Sequence, residues 1–216
     1  MAATTLGSRM SFDKAKAAIQ DAGFSLNRAV LSQSYIRSEV LLSTTATRYR
    51  FPLLVNDNFS TVTNTSQLLN LQDAFYVSHA AIFFAKPSGA TNTQFQLVTY
   101  PNAIIFSTAN TAASLYTWYN GYATLTVNNR VIWPALDIYR FYDVPMTQDS
   151  SATAVIDEQK GSDSALYPIE PGVVLVGSKQ NVLEVILPAT MQAVEENSRA
   201  VLYLAGHLAQ NVTSVN

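Results

Sequence analysis

The two histidines are the first candidates for chemistry, because the chain contains no cysteine. That absence excludes disulfides, thiolate metal sites and a cysteine nucleophile. His79 and His207 lie far apart in the sequence, and neither has a second ligand two or four positions away. His79 also lies inside an apolar run, which favours a hydrogen-bonded core histidine over a metal ligand. The usual zinc ligand sets are not met, and the sequence predicts no metal site and no cofactor.

Acidic residues gather in the most loop-like part of the chain, at about residues 146–172. Four carboxylates there can chelate calcium only if the loop folds around the ion, and the EF-hand spacing is absent. A solvated acidic loop is therefore favoured for Asp149, Asp157, Glu158 and Asp163.

Sequence motifs for catalysis are also absent. There is no G-x-S-x-G elbow, no Walker A loop and no G-x-G-x-x-G loop. We predict that the protein is not an enzyme. A hydrolase stays open as an alternative, because the members of a Ser-His-Asp triad meet only in space.

Aromatic residues between 118 and 142 give the positive signal. They are Trp118, Tyr119, Tyr122, Trp133, Tyr139, Phe141 and Tyr142. Tyrosine and tryptophan bury a large area at low entropic cost and are favoured at interfaces. We predict that these rings form a subunit interface. Core filling is the alternative for some of them, and a stacking platform for sugar or nucleic acid is another. The few basic residues nearby weaken the nucleic-acid version.

The charge content favours association with other molecules. Charged residues make up 13% of the 216 residues, about half of the usual ~25%. Because uncharged polar groups are cheaper to desolvate than charges, such a surface is easily covered by a neighbour. The sequence therefore predicts a homo-oligomer of high order. A secreted β-protein with a Ser/Thr-rich face is the alternative.

The basic residues concentrate near the N-terminus. Residues 1–50 hold seven basic and three acidic side chains, although the net charge of the chain is −2. We predict that Arg9, Lys14, Lys16 and Arg28 contact an acidic neighbour or nucleic acid. No apolar run reaches the ~20 residues of a membrane span, and no signal-peptide core is present. Synthesis in a cytosol is therefore expected.

The N-terminal segment, residues 1–34, is predicted to be an arm followed by one short helix. In SFDKAKAAIQDAG, Ser11 can cap the N-terminus of the helix and Gly23 can end it. So short a helix needs a docking surface, either on its own chain or on a neighbour. Residues 35–216 are predicted to form a single domain with a long loop at about 146–172.

That domain is predicted to be mainly β. Strand-length runs recur every 10–15 residues with Gly, Pro and Asn between them, which is typical of an antiparallel sandwich or barrel. In TLTV-NN-RVIW, two β-prone runs flank an Asn pair that can turn a tight hairpin, and Pro134 closes it. Strands are also expected in RYRFPLLV, FYVSHAAIFFA, FQLVTYP, AIIFS and DIYRFY. TANTAASLYTWYNG predicts a helix, and SQLLNLQDAF and ATMQAVEEN are candidates for others.

Three segments carry a resemblance to a known class of protein. RYRFPLLVNDN, LYTWYNGYATLTVNNRVIWPALDIYRFYDVP and LAGHLAQNVTSVN resemble virion structural proteins of bacterial viruses. The shared features are a sequence rich in predicted strands, Thr/Asn/Ala enrichment, low charge, no cysteine and a basic N-terminal arm. The resemblance implies a jelly-roll β-sandwich that assembles into a shell or tube and does no catalysis.

The leading hypothesis is therefore a structural subunit of a viral particle, made in the host cytoplasm and located in the virion. A capsid role comes first, with tail, collar or decoration roles open. The expected partners are copies of the chain, with other virion proteins possible and nucleic-acid contact by the arm open. A carbohydrate-binding β-sandwich using the aromatics of Trp118–Trp133 is the alternative function, and a hydrolase with an unrecognised site is the second.

Overall fold

The computed structural model describes residues 2–57, 67–89, 95–103, 105–106, 111–144 and 165–214. Most of the predicted long loop, with its four carboxylates, lies outside the described residues. The helices are α1 (Ala2–Asp21) and α2 (Thr111–Tyr119), with a 3₁₀ helix at Ile138–Phe141. The strands are β1 (Phe24–Ser25), β2 (Val30–Leu41), β3 (Arg48–Phe51), β4 (Ala74–Ala85), β5 (Tyr122–Val127), β6 (Arg130–Asp137), β7 (Tyr167–Val176), β8 (Asn181–Ile186), β9 (Arg199–Gln210) and β10 (Thr213–Ser214). The predicted mainly-β, antiparallel fold with a few helices is confirmed.

The strands pair as one long hairpin. β5 pairs with β6, β4 with β7, β3 with β8, β2 with β9 and β1 with β10, all antiparallel. The tip of this hairpin is the Asn128-Asn129 turn, where φ is 50° and 62°. Asparagine tolerates these left-handed angles better than most residues, so the predicted Asn-Asn turn is confirmed.

Two further pairings roll the hairpin up. β4 also pairs with β9, and β5 also pairs with β8. The result is two four-stranded sheets, β2-β9-β4-β7 and β3-β8-β5-β6, beside the small β1-β10 pair. Apolar side chains from both four-stranded sheets form one core that includes Phe51, Phe75, Ile82, Leu125, Leu183 and Leu202.

A bulge in β4 keeps its apolar residues on the correct faces. The register with β9 shifts between Val77 and His79. Phe75 and Val77 face the shared core before the bulge, and Ala80 and Ile82 face it after. The spacing of three between Val77 and Ala80 requires one extra residue, because strand side chains otherwise alternate with a period of two. The bulge therefore lets one continuous strand serve both halves of the core.

Helix α1 docks on the outer face of the β2-β9-β4-β7 sheet. Ala15 and Ile19 are wholly buried in a cluster with Ala74, Tyr76 and Ala209. The predicted helix is confirmed, and its docking surface is on its own chain. It begins earlier than predicted, at Ala2, so residues 2–10 are part of the helix and do not precede it as an arm.

The structure also changes several local predictions. β2 begins at Val30, so residues 30–34 are strand and not arm. Among residues 95–103, only Val98 makes a strand-like bridge, to Phe84. The segments 67–73 and 188–197 are not helical. Pro134 lies inside β6, which is an edge strand where a missing N–H is tolerated.

Candidate assembly surface

Three of the seven rings predicted to lie at an interface are buried in the chain's own core. Trp118, Tyr119 and Phe141 are 0%, 3% and 2% exposed. Trp118 packs against the rings of Tyr49 and Phe84, with centroids 5.0 and 5.9 Å away. The structure therefore places these three residues away from any surface that a partner can reach.

Helix α2 explains the burial of Trp118 and Tyr119. Both lie on the side of α2 that closes over the core, together with Leu115. The Tyr119 hydroxyl donates a hydrogen bond to the carbonyl oxygen of Thr99. Desolvation by burial raises the pKa of Tyr119 well above its usual value, and the nearby Tyr142 and Tyr116 add to the rise. Tyr119 is thus a neutral structural hydroxyl at any physiological pH.

The other four predicted rings remain available to a partner. Tyr122 and Tyr139 are 40% and 62% exposed, and Trp133 and Tyr142 are half-buried. Tyr139 stacks on Tyr142 with centroids 5.7 Å apart and planes 11° apart. Because Tyr142 in turn packs edge-on against the buried Tyr119 at 4.9 Å, the exposed ring is held by the core.

A capped turn, not a strand, displays Tyr139. The carboxylate of Asp137 accepts a hydrogen bond of 3.0 Å from the Tyr139 backbone N–H and starts the 3₁₀ helix. This turn sends Phe141 into the core and Tyr139 outward, so the predicted strand in DIYRFY is wrong. The sequence signal was the aspartate that precedes the aromatic run, since Asp is a favoured N-cap.

Strand β6 is the most exposed edge near these rings. Val131 is 59% exposed, Pro134 and Ala135 are exposed, and Trp133 is half-buried. We define the β6 surface as the exposed apolar and aromatic side chains of β6 and its flanks, together with the half-buried rings of Trp133 and Tyr142. Its members are Tyr122, Val131, Trp133, Pro134, Ala135, Tyr139 and Tyr142.

The backbone of β6 is poorly suited to pairing with another strand. Its register with β5 shifts twice, between Ala123 and Leu125 and between Leu125 and Thr126. Bulges and proline are common devices that keep an edge strand from adding a new neighbour. A partner on the β6 surface therefore makes contact through side chains.

A groove of about 500 Å³ lies between β6 and β7. Trp133 and Tyr167 supply aromatic walls, while Arg140 and Glu170 supply charge. The Arg140 guanidinium lies 5.2 Å from the centroid of the Tyr167 ring and donates a hydrogen bond to its hydroxyl. Within the described residues, no carboxylate lies within 4 Å of Arg140. The groove therefore combines stacking surface with polar groups that can bind a small ligand.

The predicted basic contacts are spread over the outer surface. Lys14, Lys16 and Arg28 are exposed, and Lys14 lies 3.5 Å from the Glu170 carboxylate of β7. Lys14 and Lys16 are two residues apart on α1, so they point in different directions. Arg9 lies in the helix, at a position where the side chain is outside the described residues. Contact with nucleic acid or with an acidic neighbour stays a prediction.

Two arginines and a glutamate form a buried ionic cluster on the outer face of β2 and β9. The Glu39 carboxylate contacts Arg37 at 2.7 Å and Arg199 at 3.0 Å, and Glu39 and Arg199 are almost fully buried. Both guanidiniums lie 5.4 Å from the centroid of the Phe95 ring. These charges hold the segment around Phe95 against the sheet.

Neither histidine lies in a cluster of metal-ligating side chains among the described residues. His79 Nδ1 shares a hydrogen bond of 2.9 Å with the Ser78 hydroxyl at the β4 bulge. His207 packs against the Phe12 ring, and desolvation lowers its pKa. In the part of the chain that the structure describes, there is no cluster of three or more His, Asp or Glu residues that could hold a metal ion.

Comparisons with protein-family models, with curated proteins and with solved structures found no match to the chain. Among the described helices, none is long and apolar enough to cross a membrane.

Proposed function

We propose that the protein is a structural subunit of a viral particle, with a capsid role first, and that it self-assembles through the β6 surface. It does no catalysis and acts by placing copies of itself in a regular array. It is made in the host cytoplasm and ends in the virion. The single observation that carries this proposal is the β6 surface, an edge strand with exposed apolar side chains that is followed by the exposed Tyr139 ring, stacked on Tyr142.

The strand order supports a jelly-roll sandwich. A jelly roll forms when one long antiparallel hairpin is rolled into two facing four-stranded sheets. The nested pairing around Asn128-Asn129 and the two orders β2-β9-β4-β7 and β3-β8-β5-β6 are those that such rolling produces. Jelly rolls occur in viral capsids, in lectins and in cupins, so the surface chemistry must decide among these functions.

The β6 surface favours assembly because exposed apolar side chains grouped on one edge strand can mark an interaction site. The apolar side chains of this surface, such as Val131, make no hydrogen bonds with water that a partner would have to replace. The Tyr139 ring is already held in place by stacking on Tyr142. Ordering this ring on contact therefore costs little side-chain entropy. Arg130, Asp137 and Arg140 are also exposed in or beside β6, so a partner must pair these charges or leave them in water.

Electron microscopy of the purified full chain tests the proposal. We expect regular particles or rings by negative stain, over a range of protein and salt concentrations. Val131→Asp should abolish them, because it places a charge on the most exposed large apolar side chain of β6. Val55→Asp is the matched control, since Val55 is also exposed but lies away from β6. Both variants should melt within a few degrees of the parent, as surface substitutions usually change stability by about 0.5 kcal/mol or less.

Two outcomes would contradict the proposal. One is a parent protein that sediments as a monomer at every concentration and salt tested. The other is equal loss of particles in the Val131→Asp and Val55→Asp variants, which would show that the β6 surface has no special part.

Carbohydrate binding is the second candidate, and the groove between β6 and β7 favours it. Its volume lies within the ~300–1,000 Å³ range of ligand sites, and its walls hold two aromatic rings and two charged groups. A glycan array tests it: binding should be lost in Trp133→Ala and kept in Tyr116→Ala, whose ring is exposed on α2 outside the groove. Binding by the parent that survives Trp133→Ala would exclude this groove as the sugar site.

A further inference from the structure

Among the residues that the structure describes, the outer edge of strand β2 is paired at one place, Arg37. β2 pairs with β9 over all twelve residues without a register shift. On its other side, Arg37 exchanges two backbone hydrogen bonds with Gln67, of 2.9 and 2.8 Å. Backbone groups on a strand alternate in direction, so the N–H and C=O groups of Leu31, Gln33 and Tyr35 point the same way as those of Arg37.

These three residues form a short open edge. Among the described residues, no backbone group forms a hydrogen bond to them on that side. Gln67 occupies the next position in one direction, and a turn bounds the other, where the Ala29 N–H bonds to the Leu26 carbonyl at 3.2 Å. The open interval is therefore residues 31–35, with Gln33 at its centre.

The other sheet edges carry protective features that β2 lacks. β6 contains Pro134 and two register shifts, and β7 contains Pro168, Pro171 and an irregular register with β4. β3 is only four residues long. The stretch VLSQSYI at the start of β2 has no proline, no glycine and no charge. An unprotected, regular edge of this kind is a template for another strand.

We propose that two copies of the chain pair their β2 edges antiparallel about a two-fold axis at Gln33. In this register Gln33 faces Gln33 of the second copy, and Leu31 faces Tyr35. All three outward residues of each copy are used, which gives about six backbone hydrogen bonds. A shift by two residues in either direction uses only two outward residues in each copy, because Arg37 and Ala29 are already bonded. The open edge thus selects its own register.

The side chains and charges are compatible with this pairing. The Tyr35 ring is 43% exposed and stacks on Tyr203 at 5.0 Å, so it is ordered before Leu31 of the second copy meets it. No ionised side chain lies within residues 30–36, and the guanidinium of Arg37 contacts the Glu39 carboxylate at 2.7 Å. The three facing residue pairs therefore contain no ionised side chain, and Arg28 and Arg37 lie beyond their two ends. Their four-stranded sheets join into one of eight strands.

The inference rests on the proposed role as an assembling subunit. A contact of five residues a side is smaller than the ~1,200 Å² that a specific stable complex usually buries. The β2 contact would therefore act together with the β6 surface within a larger assembly. It adds a second, backbone-mediated contact on another edge of the molecule.

Disulfide trapping tests the register directly. Because the chain has no cysteine, a single introduced cysteine can only link to a second copy. Gln33→Cys places two cysteines opposite each other at about 5.5 Å between Cα atoms, inside the range for a disulfide. Ser34→Cys is the matched control. The register places Ser34 opposite Ser32, so the two cysteines would be about 8 Å apart and cannot be bridged.

We expect about tenfold more disulfide-linked dimer from Gln33→Cys than from Ser34→Cys after mild oxidation of the assembled protein. Normal particles without this excess would overturn the β2 contact and leave the proposed function standing. Linked dimers that never grow into particles would support the β2 contact and count against the proposed function. A protein that stays monomeric and does not cross-link would contradict both the β2 contact and the proposed function.

Discussion

The two tryptophans should respond to substitution in opposite ways. Trp118 is wholly buried against Tyr49 and Phe84, whereas Trp133 is half-buried on the β6 surface. Replacing Trp118 with alanine removes a large core side chain and leaves a cavity, at a cost of about 3–5 kcal/mol in the free energy of unfolding. At ~2–4 °C per kcal/mol for a chain of this size, the melting temperature should fall by roughly 10 °C.

The indole N–H of Trp118 allows a second substitution to be predicted. It is buried and has no hydrogen-bond acceptor among the described residues. An unsatisfied buried donor costs about 1–3 kcal/mol. Trp118→Phe removes that donor while it keeps most of the ring, so the two effects oppose each other. We expect Trp118→Phe to cost only about 1 kcal/mol, well below the cost of Trp118→Ala.

Urea and thermal unfolding measure these costs, with circular dichroism as the common probe. The chain has two tryptophans, so each single variant also leaves one fluorophore whose emission reports a known site. Trp133→Ala is the comparison and should change stability far less while it weakens assembly. A loss below about 1 kcal/mol for Trp118→Ala would refute the placement of this ring in the core. Equal losses for Trp118→Phe and Trp118→Ala would refute the argument about the N–H.

Three further predictions concern other parts of the fold. Glu39→Ala removes the carboxylate shared by two guanidiniums and should lower the free energy of unfolding by about 3–5 kcal/mol in urea titration; a loss under about 1 kcal/mol would mean that the cluster adds little. Burial lowers the pKa of His207, so the unfolded state binds its proton first as the pH falls below ~6.5. Stability supplied by this histidine is therefore present above that pH and lost below it, and the melting temperature should fall less on acidification in His207→Gln than in the parent. At the hairpin tip, Asn129→Gly should keep or raise the melting temperature, because glycine adopts the left-handed angle freely. Asn129→Ala should lower both the melting temperature and the free energy of unfolding, the latter by about 1–2 kcal/mol. Equal effects of the two substitutions would contradict the turn geometry.

Local patterns in the sequence predicted some elements well. The Asn128-Asn129 pair marked the hairpin, and the spacing of Leu115, Trp118 and Tyr119 marked α2. Each signal lies within a few residues, so no distant contact is needed to interpret it. FYVSHAAIFFA was likewise long and apolar enough to identify β4.

The errors arose where an alternating pattern had another cause. In DIYRFY the alternation of apolar residues suggested a strand, yet Asp137 caps a 3₁₀ turn that also separates inward and outward rings. The run FQLVTYP looked like a strand because β-branched residues and aromatics suit both strands and covering segments. In the structure, Phe95 instead lies over the Arg37 and Arg199 guanidiniums.

The candidate surface was only partly predictable. Composition singled out the aromatic stretch, but it could not separate Trp118 from Trp133, because burial depends on which sheet α2 closes over. Nor could it show that the edge at Gln33 is open, since this depends on pairing between residues that are far apart in sequence. β2 and β9 are separated by most of the chain, and no local pattern records their register.

The nested pairing has a kinetic consequence. Once the turn at Asn128-Asn129 has formed, β5 and β6 can pair at once, because only two residues separate them. Each closed pair then shortens the free chain that the next pair must span, which lowers the entropic cost of its closure. The order would run outward to Phe24 and Ser214, which are opposite each other in the last pair. On this view a defect at the tip slows every later step, whereas trimming the outermost strands leaves the early steps intact.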